Sequence, residues 1–214
     1  MRVLIGCEQF GHVRDAFRRR GHDAWSCDLE PDRTGSPFHL QADVLTVLDR
    51  GWDLAIFHPD CTYLTNSAAW AYGDGPYHQK VKPGTLVGAN RRQARSAAIR
   101  FVLKLWHAPI PRIAIENPIG CLSSSSMGKP QQIIQPYWFG DDASKATCLW
   151  LNGLLPLRPT DPIEPRWVNE KPRWANQTDS GQNRLSPSPD RAMQRAATYP
   201  GTADAMAAQW GGTA

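Results

Sequence analysis

Short apolar runs alternate with helical stretches along the first half of the chain, and each run stops on a charged or reactive residue. No other feature limits the fold as much. Residues 2–7 read as a strand that ends near Gly6 and is followed by Glu8. Residues 11–21 then read as a short helix: Val13, Ala16 and Phe17 share one face, and Gly21 stops it. Residues 23–31 form a second strand ending in acid, Asp28 and Glu30. Residues 42–51 read as a turn and a short helix. Residues 52–57 form a third strand, bounded by Gly51 and Pro59. Residues 91–108 carry Ala94, Ala97, Ala98, Phe101, Val102 and Leu105 at helical spacing, and Pro109 and Pro111 end them. Residues 112–118 form a fourth strand, closed by Pro118 just after Glu116 and Asn117. Repeated strand, helix, strand units predict an α/β fold: a doubly wound, mostly parallel sheet with helices on both faces. The 214 residues suffice for one such domain.

Composition narrows the setting. Prolines, 18 in all, thicken after residue 156 and with 17 glycines predict many turns. The net charge is +4, with Arg18, Arg19, Arg20, Arg91, Arg92 and Arg95 in local clusters. Such clusters suit a polyanionic partner and equally suit solvated helix faces. The five cysteines, Cys7, Cys27, Cys61, Cys121 and Cys148, are widely spaced and lack a CxxC pair. They predict neither a disulfide framework nor a zinc site. His12, His22, His39 and His107 show no metal-ligand spacing. No segment is apolar enough to span a membrane and no signal-peptide pattern is present. A reducing, cytoplasmic setting without a membrane partner is the expectation. Residues 123–126 read as a flexible serine turn, and residues 203–212 as a helix that packs on the sheet through Trp210.

Ligands of open α/β sheets bind beyond the carboxyl ends of the strands. The topology therefore predicts one rim shared by Glu8, Asp28, Glu30, Cys61, Glu116 and Asn117. Pro59 cannot donate to a sheet ladder, so Asp60 and Cys61 fall on the loop beyond the third strand. A cysteine there is either a small packing residue or a nucleophile. His58 either tunes that thiol or caps the strand end. A carboxylate beside a thiol disfavours the thiolate, so Asp60 is expected to point away or to serve another group.

In their order and spacing these segments resemble the DNA cytosine-5 methyltransferase family, from about residue 2 to residue 210. Residues 7–31 are similar to that family's cofactor strand, glycine turn and following acid. Residues 41–48 are similar to its Gly-Asp element, "HPDCTYLTNS" (58–67) to its Pro-Cys loop, and "IENP" (115–118) to its Glu-Asn-Val motif. "FGDDASKATCLWLNG" (139–153) is similar to its Gln-x-Arg-x-Arg strand, and residues 185–200 to its Leu-Thr-Pro-Arg-Glu helix. The resemblance implies a single-domain, Rossmann-like methyltransferase fold of the short, phage-type kind, using S-adenosylmethionine. It implies Cys61 as nucleophile, Glu116 at N3 of the base and Asn117 fixing the loop. Glu8, Gly11, Asp28, Glu30, Asp43 and Pro59 would surround the cofactor: Asp28 at the ribose, Asp43 at the adenine, Glu8 at the methionine ammonium. Lys145 and Thr147 stand where the family has two arginines facing the substrate, and Thr147 lacks the expected base contact. The Pro-Pro-Cys pattern is Pro-Asp-Cys, and only Gly6 and Gly11 flank the cofactor turn.

The sequence divides into a catalytic core (1–153), a Pro-rich segment (154–185) and a C-terminal helical part (186–214). The middle segment stands where the family has a recognition domain, and is too polar to build its own core. Its Arg166-Trp167 and Arg173-Trp174 pairs predict either base stacking and phosphate binding or two staples onto the core. Residues 64–88 read as a lid or a disordered connection. The expected partner is DNA, single-stranded DNA included, or a free cytosine nucleotide; a homodimer would offer further recognition surface. Two other functions suit the same residues: a different pyrimidine-modifying enzyme, or a non-catalytic nucleotide or nucleic-acid binder.

Overall fold

The computed structural model describes residues 1–186, 188 and 191–212. Alternation along the apolar runs sends successive side chains to opposite faces of a sheet, and both faces are covered. The strands are β1 (Arg2–Gly6), β2 (Asp23–Asp28), β3 (His39–Gln41), β4 (Leu54–Phe57), β5 (Ile113–Pro118), β6 (Gln132–Ile134) and β7 (Thr147–Asn152). They form one seven-stranded sheet in the order β3-β2-β1-β4-β5-β7-β6. The first five in that order are parallel, and β7 runs antiparallel between β5 and β6. The doubly wound, mostly parallel sheet expected from the sequence is present.

Val3, Ile5, Leu54, Ile56 and Ala114 face one layer, packed under α1 (His12–Arg19) and, toward the C-terminus, a helix at Pro200–Trp210. Leu4, Ala55, Phe57, Ile113 and Ile115 face the other, under α2 (Gly88–Trp106). A fully buried aliphatic of this kind contributes about 1.5–3 kcal/mol. Two helices follow α2: α3 (Arg191–Ala196) and α4, the one at Pro200–Trp210. Trp210 is buried in the first layer and its indole N–H donates to the Leu155 carbonyl, 2.9 Å. Among the described residues no helix is long and apolar enough to cross a membrane.

The short helix expected within 42–51 is only a 3-10 turn at Val44–Thr46, started by Asp43, whose carboxylate accepts the Leu45 N–H. The Pro-rich segment is not wholly extended. It folds a hairpin, β8 (Arg166–Val168) with β9 (Lys171–Arg173). Asn169 and Glu170 turn it with φ of 48° and 61°, the left-handed pair that a tight hairpin needs. Within the stretch that resembles the Leu-Thr-Pro-Arg-Glu helix, Pro187, Pro189 and Asp190 lie outside the described residues, as do Thr213 and Ala214 of the C-terminal part.

Candidate active site

β4 and β5 are neighbours, so the residues at their carboxyl ends meet. His58 leaves β4 with its backbone N–H on the Gly6 carbonyl, 2.9 Å. Its Nδ1 lies 3.1 Å from Glu116 Oε2. Glu116 is buried and His58 partly so, with side chains 11% and 9% exposed, and the buried His58 Nε2 has no partner. Asn117 Nδ2 donates to the Pro59 carbonyl, 2.8 Å, which fixes the turn that carries the half-buried Cys61. Thr147 faces Pro118 across the β5–β7 ladder. Its buried hydroxyl lies between the Lys145 carbonyl and the Glu116 carboxylate. Glu116, Lys145, Thr147, Tyr199 and Thr202 enclose a small cavity.

These contacts set the charges. Burial would raise the Glu116 carboxyl, but the His58 hydrogen bond and the Lys145 charge outweigh it and hold Glu116 below the ordinary carboxylate range. Glu116 is therefore ionised at neutral pH. Cys61 goes the other way. Burial first, then the charges of Asp60 and Glu116, push its thiol up against a weaker pull from Lys145. At rest Cys61 is a thiol. Asp60 does serve another group: its carboxylate accepts the Thr62 N–H at 3.0 Å and hydroxyl at 2.8 Å. Its charge still reaches the thiol.

The loop after Cys61 is braced from two sides. Cys121 N–H donates to the Leu64 carbonyl, 2.8 Å. A Cβ on Gly120 would stand 2.0 Å from that carbonyl, so only glycine admits the approach. From α2, Arg95 donates to the Tyr63 carbonyl at 3.0 Å and lies over the Tyr72 ring, 3.4 Å from its centroid. Arg91 is buried, with its guanidinium 4.8 Å from the same ring. Tyr72 belongs to a 3-10 turn, Ala69–Tyr72, and its hydroxyl donates to the Tyr63 carbonyl, 2.9 Å. The arginines read from sequence as a solvated face or a polyanion site are thus partly consumed in holding residues 62–72. A cation over an aromatic face contributes about 0.5–2 kcal/mol.

Across β1 lies the part expected to hold the cofactor. Cys7 has φ +61°, a conformation that favours glycine, so the turn after β1 carries a strained cysteine. Gly11 starts α1 at φ +68°, and a Cβ there would collide with the Arg14 guanidinium. Both oxygens of the buried Glu8 accept N–H groups of α1, Val13 at 2.8 Å and Arg14 at 3.3 Å. Burial pushes the Glu8 carboxyl up, opposed by the His58 charge and those N–H groups. Glu8 is thus a helix cap first. Asp28 Oδ1 accepts the Glu30 N–H at 3.0 Å, and Asp43 Oδ1 the Leu45 N–H at 3.0 Å. Each keeps its other oxygen for a ligand hydroxyl or amine, which fits a nucleoside. Glu30 is exposed. Arg14, fully buried, bonds Ser26 and Asp32 and ties down the loop that follows Asp28. Burial opposes the Asp32 charge, yet hydrogen bonds from Thr34, Ser36 and Arg14 hold that carboxyl well below its usual range.

The two Arg-Trp pairs separate. Trp167 is 67% exposed on the hairpin, whereas Trp174 is buried and stacks on Tyr137, with centroids 4.1 Å apart. Arg166 pairs with Asp179 at 2.6 Å, and Arg173 donates to the Asp179 carbonyl at 3.0 Å. Trp174 is therefore a staple, and Trp167 keeps a free face. A cleft of about 370 Å³, lined by residues including His12, Asn176, Arg184, Thr198 and Tyr199, adjoins the Glu116 cavity through Thr198 and Tyr199. Sequence reasoning undervalued His58 and missed Arg14, Arg91 and Arg95 as parts of the site's frame. Only the proximity of His58 to Cys61 signalled any of them.

No family model matches the sequence, and no curated protein matches it. Solved structures do. One is described as a DNA modification methyltransferase encoded within an E. coli prophage: TM-score 0.42, 14% identity, 71% of this chain and 46% of that chain covered. Another is a mutant of Spodoptera frugiperda DNMT2: TM-score 0.44, 14% identity, 76% of this chain and 57% of that chain. The chain spans about half the length of these structures. The strand order, with β7 reversed, is a Rossmann-like one.

Proposed function

We propose that the protein transfers a methyl group from S-adenosylmethionine to carbon 5 of cytosine through a covalent adduct on Cys61. The observation that carries this reading is the convergence of Cys61, ionised Glu116 and Lys145 at the ends of neighbouring strands. Asp28 and Asp43, with one free oxygen each, stand across β1. Carbon 5 is a poor nucleophile. When Cys61 sulfur bonds to carbon 6, the ring becomes an enamine and carbon 5 gains the electron pair. Asp28 and Asp43 would hold S-adenosylmethionine at its ribose and adenine, and the bound cofactor would supply the electrophilic methyl and leave as S-adenosylhomocysteine. Loss of the carbon 5 proton to solvent water then re-forms the 5,6 double bond, breaks the carbon–sulfur bond and frees Cys61 as a thiolate. Because Cys61 rests as a thiol, its proton must pass to solvent water before attack, and Lys145 is the cation that favours the thiolate. Glu116 faces the N3 and amino edge of the base.

Substrate size follows from what flanks the site. Duplex readout needs an element that enters a groove and reaches base edges, and flipping a base from the stack costs a few kcal/mol. One small hairpin with a single free tryptophan suits an unpaired base, where aromatic stacking contributes about 1–3 kcal/mol. The preferred substrate is therefore single-stranded DNA or a free cytosine nucleotide, with weak sequence preference. Labelled methyl transfer to duplex DNA, single-stranded DNA and cytidine mono- and triphosphates, at one salt concentration, tests this. Activity confined to one short duplex sequence would contradict it.

A further inference from the structure

The methyl-transfer reading leaves one group without a role. His58 is buried beside Glu116, and its Nε2 meets no partner. A histidine kept only to cap a strand end would have its buried nitrogens satisfied. His58 stands at the end of β4 where β4 adjoins β1, and the strand order reverses there, the point at which such sheets bind ligands. Glu116 meets it from β5 and Glu8 acts on it from the turn after β1, while Asp60 and Cys61 follow it on its own loop and Lys145 lies beyond Glu116.

We propose that His58 is the proton donor behind Glu116, so that a histidine–carboxylate dyad, and not a lone carboxylate, meets N3 of the target base. This rests on the reading that Cys61 adds to carbon 6. As the sulfur–carbon 6 bond forms, electron density builds on N3, which needs a proton. Glu116 is ionised and has none to give. His58 Nδ1 passes its proton to Glu116, Glu116 passes one to N3, and the carboxylate returns to its starting charge. His58 becomes neutral and is reprotonated when N3 gives the proton back as the adduct collapses. No further reactant is required. His58 is thus a positioning and proton-supplying residue that acts through Glu116.

His58→Asn is the test, because the asparagine amide can keep a donor on Glu116 but cannot surrender its proton. The first measurement needs no substrate: NMR titration of the Glu116 carboxyl carbon. Its inflection is expected to move to higher pH in His58→Asn, since a cationic donor is lost, and an unchanged inflection would overturn the dyad. The second is methyl transfer. The variant is expected to lose about 10²–10⁴ in kcat, the usual contribution of a positioned acid, with KM little changed and the pH profile of kcat altered. Wild-type kcat with an unaltered pH profile would overturn the proposal even if the NMR inflection moved. A wild-type protein that methylates no cytosine would end the methyl-transfer reading, and the NMR titration would still decide the dyad. Should His58→Asn not fold, His58→Gln serves for both measurements.

Discussion

The carboxyl edge of the sheet has two unlike halves. On the β2 side of β1, Asp28 is half-exposed and Asp43 exposed, and each holds one oxygen free. On the β5 side, His58, Glu116 and Thr147 are largely buried and bonded among themselves, with the Cys61 thiol pushed up first by burial and then by two carboxylates. The open half can exchange water for a ligand at small cost. The closed half is shielded from solvent, so each charge there acts strongly on its neighbours. In the proposed reading one half binds and the other reacts, and β1 with its buried Glu8 forms the wall between them.

This contrast breaks first if a substitution in one half damages the other. Glu116→Gln is expected to lower kcat about 10²–10⁴-fold while calorimetric affinity for S-adenosylmethionine stays within about twofold. Asp28→Asn should do the reverse. It removes a charged acceptor, a loss of about 1.5–3 kcal/mol, and weakens cofactor binding by one to two orders of magnitude. Equal losses of affinity from both would show that the halves are a single pocket.

The smallest expected effect concerns the brace behind the closed half. Arg95→Ala removes the contact over Tyr72 and the bond to the Tyr63 carbonyl, about 1–2 kcal/mol together. At this chain length that lowers Tm by about 2–8 °C, and proteolysis within residues 62–88 should quicken. An unchanged melting curve and cleavage rate would mean that the loop is held by something else.

Cys61 and Glu116 were legible as sequence because prolines mark where their strands stop: Pro59 and Pro118 place both on the carboxyl edge. The parallel order of β1, β2, β4 and β5 followed from the same punctuation. The role of His58 was not legible, since its partner lies 58 positions away and a lone histidine looks alike as cap or as acid. Arg91 and Arg95 read as solvated charge because no local pattern announces that the tyrosines of a distant loop will cover them. β3 and β6 span three residues each, too short to alternate visibly. The reversal of β7 depends on its neighbours in the sheet, not on its own residues. Trp174 and Trp167 share one local pattern, Arg-Trp, yet Trp174 stacks on the distant Tyr137 and is buried while Trp167 stays exposed.

Trapping the adduct tests the central claim most directly. A single-stranded oligonucleotide carrying 5-fluorocytosine, incubated with S-adenosylmethionine and the protein, keeps the sulfur–carbon 6 bond because fluorine blocks the elimination that frees the enzyme. Peptide mapping by mass spectrometry should find the modified base on Cys61, equally in wild type and Cys121→Ser, and on no residue in Cys61→Ser. A methylated product formed by Cys61→Ser, or an adduct carried by a different cysteine, would contradict the assignment.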